Sequence, residues 1–536
     1  MTPLRSLRLA LALLIASPFA GADENLLKNG DFESGGKGPP VNWSTIWPRQ
    51  IQDPAPTFER SEVDPHSGEG CGVITTTQPG GYTSYTQEVR VDDKATLLRL
   101  TGWIRVDELQ GDASASFLML LMDSKGETLT ARQSRKLSET GEWTELEVEI
   151  PMPEGTKSVL FRCGVTGAGS IAFDDVELVN ERLSGEHIAT QLSAHFGTYV
   201  VRAKNKAKEP WVALSIPFPF ERQTPVALRV TSEPPDQVAR LEVLEDGENR
   251  PLRVYLVPQE RDSEVRLRVE TLTWVADRPV STGEGVALPK KRIPKDVKEH
   301  LEPAEGIDLA ADAVKDAAKE FDRTDFASLM KDVAAFLSER LTYAGGSPTQ
   351  GAEECIGSGK AVCTGFANTA ASLLIASGLP TRILASTQLD SRLQEHYIVE
   401  TWTPELGWSR FESTMARFPW EDSKNLILRV VTSDAFRNSG DVPIYVQTGG
   451  GGTGGFWMDP KDSCWQGANL VGSPLVPADE FDRVRDAAAE AFEGLRKRPA
   501  ESPRASLLPT GKDLKKLKLG ERSSAVLLRV ETWLAE

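Results

Sequence analysis

The chain has 536 residues, enough for three or four domains with cores of their own. Its composition, 40% hydrophobic and 26% charged, is that of an ordinary globular protein. The formal charge of −17 argues against nucleic acid or an anionic membrane as partner, because both demand concentrated positive charge.

Met1 to Ala22 reads as a signal peptide. Arg5 and Arg8 make a positive start, Leu9 to Ala16 is an apolar stretch too short to span a bilayer, and Ala20-Gly21-Ala22 suits a cleavage site. No cysteine follows to carry a lipid, and no later stretch offers a transmembrane anchor. The mature protein is therefore expected to be soluble and outside the cytoplasm, secreted or periplasmic. Five cysteines are too few for a disulfide scaffold, and an odd number leaves one over in an oxidising compartment. An economical pairing joins Cys71 with Cys163 and Cys355 with Cys464, sparing Cys363.

Residues 23–180 show short runs of period-two alternation broken by Gly, Pro and Asp. Examples are Tyr85 to Val91, Leu98 to Val106 and Thr144 to Ile150. This pattern predicts an all-β sandwich. The opening segment, Asn25 to Glu33, and the closing one, Ile171 to Leu178, together resemble the carbohydrate-binding-module jelly roll, a galactose-binding-like fold. That resemblance implies a structural calcium near the joined ends, with Glu33, Asp174 and Asp175 as candidate ligands; carboxylate oxygens suit such a hard cation. It also implies glycan binding on exposed aromatic rings, with Trp43, Trp47, Tyr82 and Tyr85 as candidates. Trp43 and Trp103 read more readily as core, and a protein-interaction or spacer role for the domain stays open.

Residues 181–283 carry about six further strand-like runs, from Tyr199 to Arg202 through Val265 to Glu270, and predict a second β-sandwich. His187 and His195 lie eight apart with no cysteine partner, a poor metal site.

Residues 284–476 change character. A Pro/Lys-rich linker, 284–295, precedes two predicted helices, Leu309 to Phe321 and Phe326 to Leu341. In the second, Phe326, Leu329, Val333, Phe336 and Leu337 form one apolar stripe. Next comes Gly359-Lys360-Ala361-Val362-Cys363-Thr364-Gly365-Phe366, which sets a thiol at the start of an apolar helix. Gly378 suits its C′ position and Pro380 forbids continuation. The positive end of the helix dipole favours thiolate there. Glu395 to Trp402 reads as a strand with His396 near its start, and Gly407 to Thr414 as its hairpin partner containing Glu412, joined by the turn Pro404-Glu405-Leu406-Gly407. A hairpin can bring His396 and Glu412 side by side, which leaves Cys363, His396 and Glu412 as nucleophile, general acid/base and orienting carboxylate.

The cysteine helix and the histidine hairpin, over roughly 290–445, resemble the core of the transglutaminase-like superfamily of papain-like thiol enzymes. The run Ile216-Pro217-Phe218-Pro219 likewise resembles the β domain that precedes many bacterial transglutaminase cores. The resemblance implies an α+β core in which Cys363 is the nucleophile, His396 the base and Glu412 the orienting acid, at a position where the family usually has aspartate. The Cys363 N–H is the natural oxyanion donor, with Gln350 or Ser358 as candidates for a second. The implied chemistry is acyl transfer on protein or peptide amides, ending in hydrolysis or in amine transfer, and it needs no organic cofactor. Nothing resembles the calcium-regulated insertions of animal cross-linking enzymes, which tilts the expectation toward hydrolysis. The alternative is a non-catalytic glycan- or protein-binding protein with a degenerate thiol domain, suggested by the glutamate at 412.

Beyond the hairpin, Leu426 to Thr432 predicts a strand, and Gly449 to Gly455 is a flexible tract without a phosphate-loop signature. Residues 477–536 read as a helical C-terminal extension. It contains an amphipathic helix from Glu480 to Lys497, a basic run from Lys512 to Lys518 and an apolar end from Ala525 to Leu534.

Overall fold

A computed structural model describes residues 25–535 apart from 49–53, 78–80, 93–94, 154, 184–185, 204–205, 278–280, 290–292, 304–305, 345–350, 390–394, 421–424, 432–445, 450–455, 459–463 and 509–516. The expected signal peptide, Gln350, most of the glycine tract and most of the basic run lie outside the described residues.

The first domain is a sandwich of two five-stranded sheets. Its strands are β1 (Ser44–Ile46), β2 (Thr57–Ser61), β3 (Cys71–Thr76), β4 (Tyr82–Arg90), β5 (Leu97–Leu109), β6 (Ser114–Met122), β7 (Thr128–Gln133), β8 (Gly141–Pro151), β9 (Ser158–Thr166) and β10 (Gly169–Glu181). One sheet runs β1-β4-β9-β6-β7 and the other β2-β3-β10-β5-β8. Alternation decides which face is buried: on β9, Val159, Phe161, Cys163 and Val165 all enter the core between the sheets, where they meet Phe32, Tyr85, Phe117 and Phe173. Burying each large apolar side chain there contributes about 1.5–3 kcal/mol.

The expected disulfides do not form. Cys71, Cys163 and Cys355 are free thiols. Cys163 points into the sandwich core, whereas Cys71 packs with Val73 and Ala172 against Trp143, away from that core. Two thiols in different sheets with different surroundings cannot meet the geometry of a bridge. Cys355 is enclosed in the helical core of the third region, and the side chain of Cys464 lies outside the described residues.

The second sandwich contains β11 (His187–Ala203), β12 (Trp211–Leu214), β13 (Gln223–Glu233), β14 (Val238–Val243), β15 (Leu252–Leu256) and β16 (Glu264–Ala276). It is not complete within 181–283. The chain leaves it for the helical core and returns as β23 (Val446–Gly449), β24 (Phe456–Met458), β25 (Cys464–Gly472), β26 (Leu475–Pro477) and β27 (Arg504–Ser506). β24, β25 and β26 all pair with β11, β27 pairs with β13, and β23 pairs with β12. The span 284–476 expected for the core thus ends earlier in space. β11 is long, and without β25 its backbone groups along 192–199 would lack the ladder that now satisfies them.

The C-terminal region is likewise a closing layer rather than an appendage. The helix Ala478–Lys497 places Phe481, Val484 and Ala488 in a cluster with Trp274 and Leu272 of β16, and the helix Glu521–Ala535 adds Val526, Leu527 and Val530. Arg522 and Arg529 of that last helix reach back to Glu149, Glu181 and Glu147 of the jelly roll, tying the first domain to the second.

Between these halves sit α1 (Lys295–Lys298), α2 (Asp312–Glu320), α3 (Phe326–Arg340), α4 (Ala352–Ser358) and α5 (Cys363–Ala376), with the short parallel pair β17 (Thr342–Tyr343) and β18 (Lys360–Ala361). The apolar stripe of α3 buries Phe326, Leu329, Val333 and Leu337. An antiparallel sheet follows, ordered β21-β20-β19-β22, from β19 (Thr381–Gln388), β20 (Glu395–Thr403), β21 (Gly407–Phe411) and β22 (Asn425–Val431). Its two faces serve two cores. Ile383, Ala385, Tyr397, Val399 and Phe411 pack with α5, while Leu384, Ile398, Ile427 and Val430 pack on the second sandwich. The edge strand β22 is capped by side chains of the sandwich: Gln223 holds both backbone groups of Ile427 at 2.8 and 2.9 Å, and Asn249 holds those of Val430 at 2.7 and 3.0 Å. An edge so covered is unavailable to other chains.

Candidate active site

The site begins with α5. Every residue from Gly365 to Ile375 is buried, as expected of a helix enclosed on all sides. Its C-terminus closes on Gly378 at φ 93°, with Gly378 N–H donating to Ile375 and Leu379 N–H to Leu374. Its N-terminus opens at Cys363, with Val362 before it and no side chain capping the first turn. Cys363 is only partly buried. The free N–H groups of a first turn and the helix dipole both favour negative charge at this end.

His396 stands on β20, directly across from Ser386 of β19, whose hydroxyl donates to the His396 carbonyl at 2.9 Å. Its ring hydrogen-bonds to Cys363. Its Nε2 lies 2.5 Å from Glu412 Oε2, which leaves Nδ1 for the thiol. Burial works against charge on this imidazole, but the hydrogen bonds and charges of Cys363 and Glu412 outweigh it and hold its pKa up at about 10.

Glu412 is fully buried one residue beyond the end of β21. Its Oε1 accepts the Thr414 N–H at 3.1 Å, so both carboxylate oxygens are used. The backbone is pinned by a tight turn in which Glu412 and Arg417 exchange hydrogen bonds at 2.9 and 3.1 Å, with Ala416 at φ 50°. The extra methylene relative to aspartate is accommodated by the reach from this turn to the ring. In the same stretch the Ser413 and Thr414 hydroxyls and Trp420 Nε1 are buried without partners, polar atoms that water or substrate would satisfy. The Ser358 hydroxyl, by contrast, turns onto the carbonyls of Cys355 and Lys360.

A buried ion cluster stands behind the hairpin. Glu400 of β20 faces Arg410 of β21 and accepts from it at 2.9 Å. The same carboxylate takes Arg382 of β19 at 2.7 and 2.9 Å, and Arg382 also reaches Glu221 and Glu248 of the second sandwich, each at 2.8 Å. Trp408 and Phe220 lie 4.1 and 4.7 Å from the Arg382 guanidinium. Sequence reasoning missed both β19 and this cluster. The available signal was two charges, Arg382 and Glu400, inside otherwise apolar strand patterns.

The jelly-roll expectations fare differently. Asp174 and Asp175 are close to each other but not to Glu33 as ligands of one ion. Asp174 accepts the N–H groups of His66, Ser67 and Asp175, Asp175 pairs with His66 at 2.6 Å, and Glu33 accepts from Glu69 and Gly70 and faces Arg60. Burial pushes the Asp174 carboxyl up to about 6, against the lowering effect of its N–H donors. Among the described residues no group of three or more metal-ligating side chains converges. These donors are spent on the protein, so the three residues do not fit a calcium cage. Of the proposed sugar platforms, Tyr85 is wholly buried and Trp43 stacks in the core on Phe32, while Trp47 is 38% exposed and Tyr82 is half-buried under Arg162. Trp103 is not core: it is half-buried, stacked at 3.9 Å on His66.

Residues 313–413, which contain all three site residues, match the transglutaminase-like superfamily. This region is a transglutaminase-like domain. No curated protein matches the chain. Among solved structures, a candidate cysteine protease from Cytophaga hutchinsonii is 15% identical and aligns over 53% of this chain and 100% of its own, with a TM-score of 0.39. The CBM22-1 xylan-binding domain of Paenibacillus barcinonensis Xyn10C is 14% identical over 31% of this chain and 100% of its own, with a TM-score of 0.24. The C-terminal family 22 carbohydrate-binding module of Clostridium thermocellum Xyn10B is 7% identical over 28% of this chain and 91% of its own, with a TM-score of 0.22. No helix among the described residues is long and apolar enough to cross a membrane. The sheet of the transglutaminase-like domain is completed by β22, which follows the matched residues, and it packs on the second sandwich.

Proposed function

We propose that this protein is a secreted thiol enzyme that transfers acyl groups from protein or peptide amides. The observation that carries the reading is His396 bridging Cys363 and Glu412. His396 is held in its charged form, and an imidazolium beside a sulfur favours the thiolate. The Cys363 sulfur attacks the amide carbonyl carbon, and the developing oxyanion is met by the Cys363 N–H at the open helix end. As the carbon–nitrogen bond breaks, His396 gives its proton to the departing amine, and Glu412 keeps the ring oriented. The thioester is then cleaved by water, whose proton returns to His396, or by an amine. Hydrolysis is the preferred outcome, because the thiol is partly exposed and water is abundant. The reach of Glu412 to His396 supports this reading over that of a non-catalytic binding protein. The jelly roll is read as the part that holds the enzyme to a glycan, through Trp47 as its most exposed candidate ring.

The test is the rate of iodoacetamide labelling at Cys363 against pH in wild type and His396→Ala. Labelling that persists well below the roughly 8.5 of a free thiol, and loses that limb without His396, supports the pair. Identical, unperturbed profiles in both proteins would sink it. Peptide hydrolysis and incorporation of a fluorescent amine then separate the two outcomes.

A further inference from the structure

The outer face of the smaller sheet of the second sandwich carries a row that neither the thiol site nor the jelly roll uses. Arg240 of β14, Tyr255 of β15 and Trp211 of β12 are directly opposite one another in register. They lie on one face, because their neighbours Leu241, Val254 and Val212 fill the core on the other. The Arg240 guanidinium sits 3.8 Å from the centre of the Tyr255 ring. Tyr255 donates its hydroxyl to Glu242 at 2.7 Å, and Arg253, on the same outer face, packs over Trp211 at 4.4 Å and donates to the Tyr255 hydroxyl at 3.2 Å, so the row is braced by its own neighbours on that face. Lys208 and Glu209, from the loop leading into β12, complete the lining of a cleft of about 570 Å³. That volume is within the roughly 300–1,000 Å³ of small-ligand sites.

The charges in this cleft are unspent. Every other described arginine between 186 and 277 meets a carboxylate or a backbone carbonyl. Among the described residues, Arg240 meets the face of Tyr255 and no carboxylate, and Lys208 has no ion-pair partner. In a chain of net charge −17, two unpaired cations in one cleft favour an anion. Stacking also holds the Arg240 fork in place with its N–H edge free, which suits a carboxylate.

We propose that this cleft binds a uronate-bearing saccharide. The sugar ring lies across the parts of Trp211 and Tyr255 that Arg253 and Arg240 leave uncovered, its carboxylate is forked by Arg240 with Lys208 adding charge, and Glu209 accepts from ring hydroxyls. An acidic peptide would answer the two cations but leave Glu209 and the ring row without use. This assignment is separate from the glycan role read for the jelly roll, and from Cys363.

The experiment is calorimetric titration of the full chain with oligomers of galacturonate, glucuronate and guluronate, with galacturonate methyl ester, and with a poly-glutamate peptide. At least one uronate should bind, weaken with added salt, and lose at least about tenfold in affinity on Arg240→Gln. Arg240→Lys should recover part of the binding. Arg266→Gln, a surface arginine outside the cleft, should change nothing, and Cys363 labelling should be equal in all variants. No binding by any uronate, equal binding of acid and methyl ester, an unaffected Arg240→Gln, or tighter binding of poly-glutamate would each overturn the proposal.

Discussion

Among the described residues, two short histidine–carboxylate pairs of nearly equal length have different surroundings. His66 meets Asp175 at 2.6 Å and His396 meets Glu412 at 2.5 Å. His66 stacks on Trp103 and is 26% exposed; its carboxylate also takes the Ser67 hydroxyl and is 30% exposed. His396 is enclosed, its carboxylate is wholly buried, and its other face meets a thiol at an uncapped helix start. The pairing alone is therefore not a site. What separates the two is a thiol on the far side of the ring and the burial of the carboxylate.

That contrast can be broken most severely at the thiol. Cys363→Ala should abolish amide turnover and covalent labelling, while His66→Ala leaves both at wild-type level. An activity assay in which the two variants behave alike would erase the distinction. Next in size, His396→Ala should lower kcat/KM about 10²–10⁴-fold and remove the low-pH labelling limb. Glu412→Gln should do so to a lesser degree, and Asp175→Asn not at all.

The frame behind Cys363 and His396 should respond in stability rather than chemistry. Arg382→Met leaves Glu400 buried without its main partner and should cost about 3–5 kcal/mol in denaturant unfolding. Adding Glu400→Gln should recover part of that loss, because the uncompensated charge goes with it.

A smaller effect lies in pH. His396 has a folded pKa of about 10 against 6.5 for the free group. Its contribution to stability is thus complete below about 6.5 and is lost as pH rises towards 10. His396→Ala should flatten the stability curve across that window. Asp174, raised from 3.8 to about 6, adds a decline in stability as pH rises between those values, which would vanish in an Asp174→Asn protein. The smallest effect is on cysteines. Cys71→Ala and Cys163→Ala should each change stability only by lost packing and should not act as a coupled pair in a double-mutant cycle.

Much of the candidate site was legible because its signals are local. A thiol before an apolar run, a glycine at C′ and a proline beyond fix a helix start within a few residues, and the hairpin turn at Pro404 to Gly407 sets the two strands that bear His396 and Glu412. The pair Asp174 and Asp175 was legible from its place in the closing strand, but not the partners of the jelly-roll carboxylates. His66 and the N–H groups of Ser67, Glu69 and Gly70 come from a loop whose position the sequence pattern does not reveal. Trp103 and Tyr85 exchanged roles for the same reason: alternation says that one face of a strand is inside, but not which face.

By itself, then, the sequence determined the order of β, β and α+β regions, the thiol at a helix N-terminus, and the hairpin that carries its two partners. These follow from periodicity, capping and turn chemistry, which act over a few residues. Only the tertiary structure decided that strands from 446–506 complete the second sandwich, that Arg382 fastens the core sheet to it, that Cys71, Cys163 and Cys355 form no disulfide, and that Glu412 reaches His396 from a turn beyond its strand. Those outcomes depend on backbone ladders and buried charges that meet across hundreds of residues, where local propensity has no say.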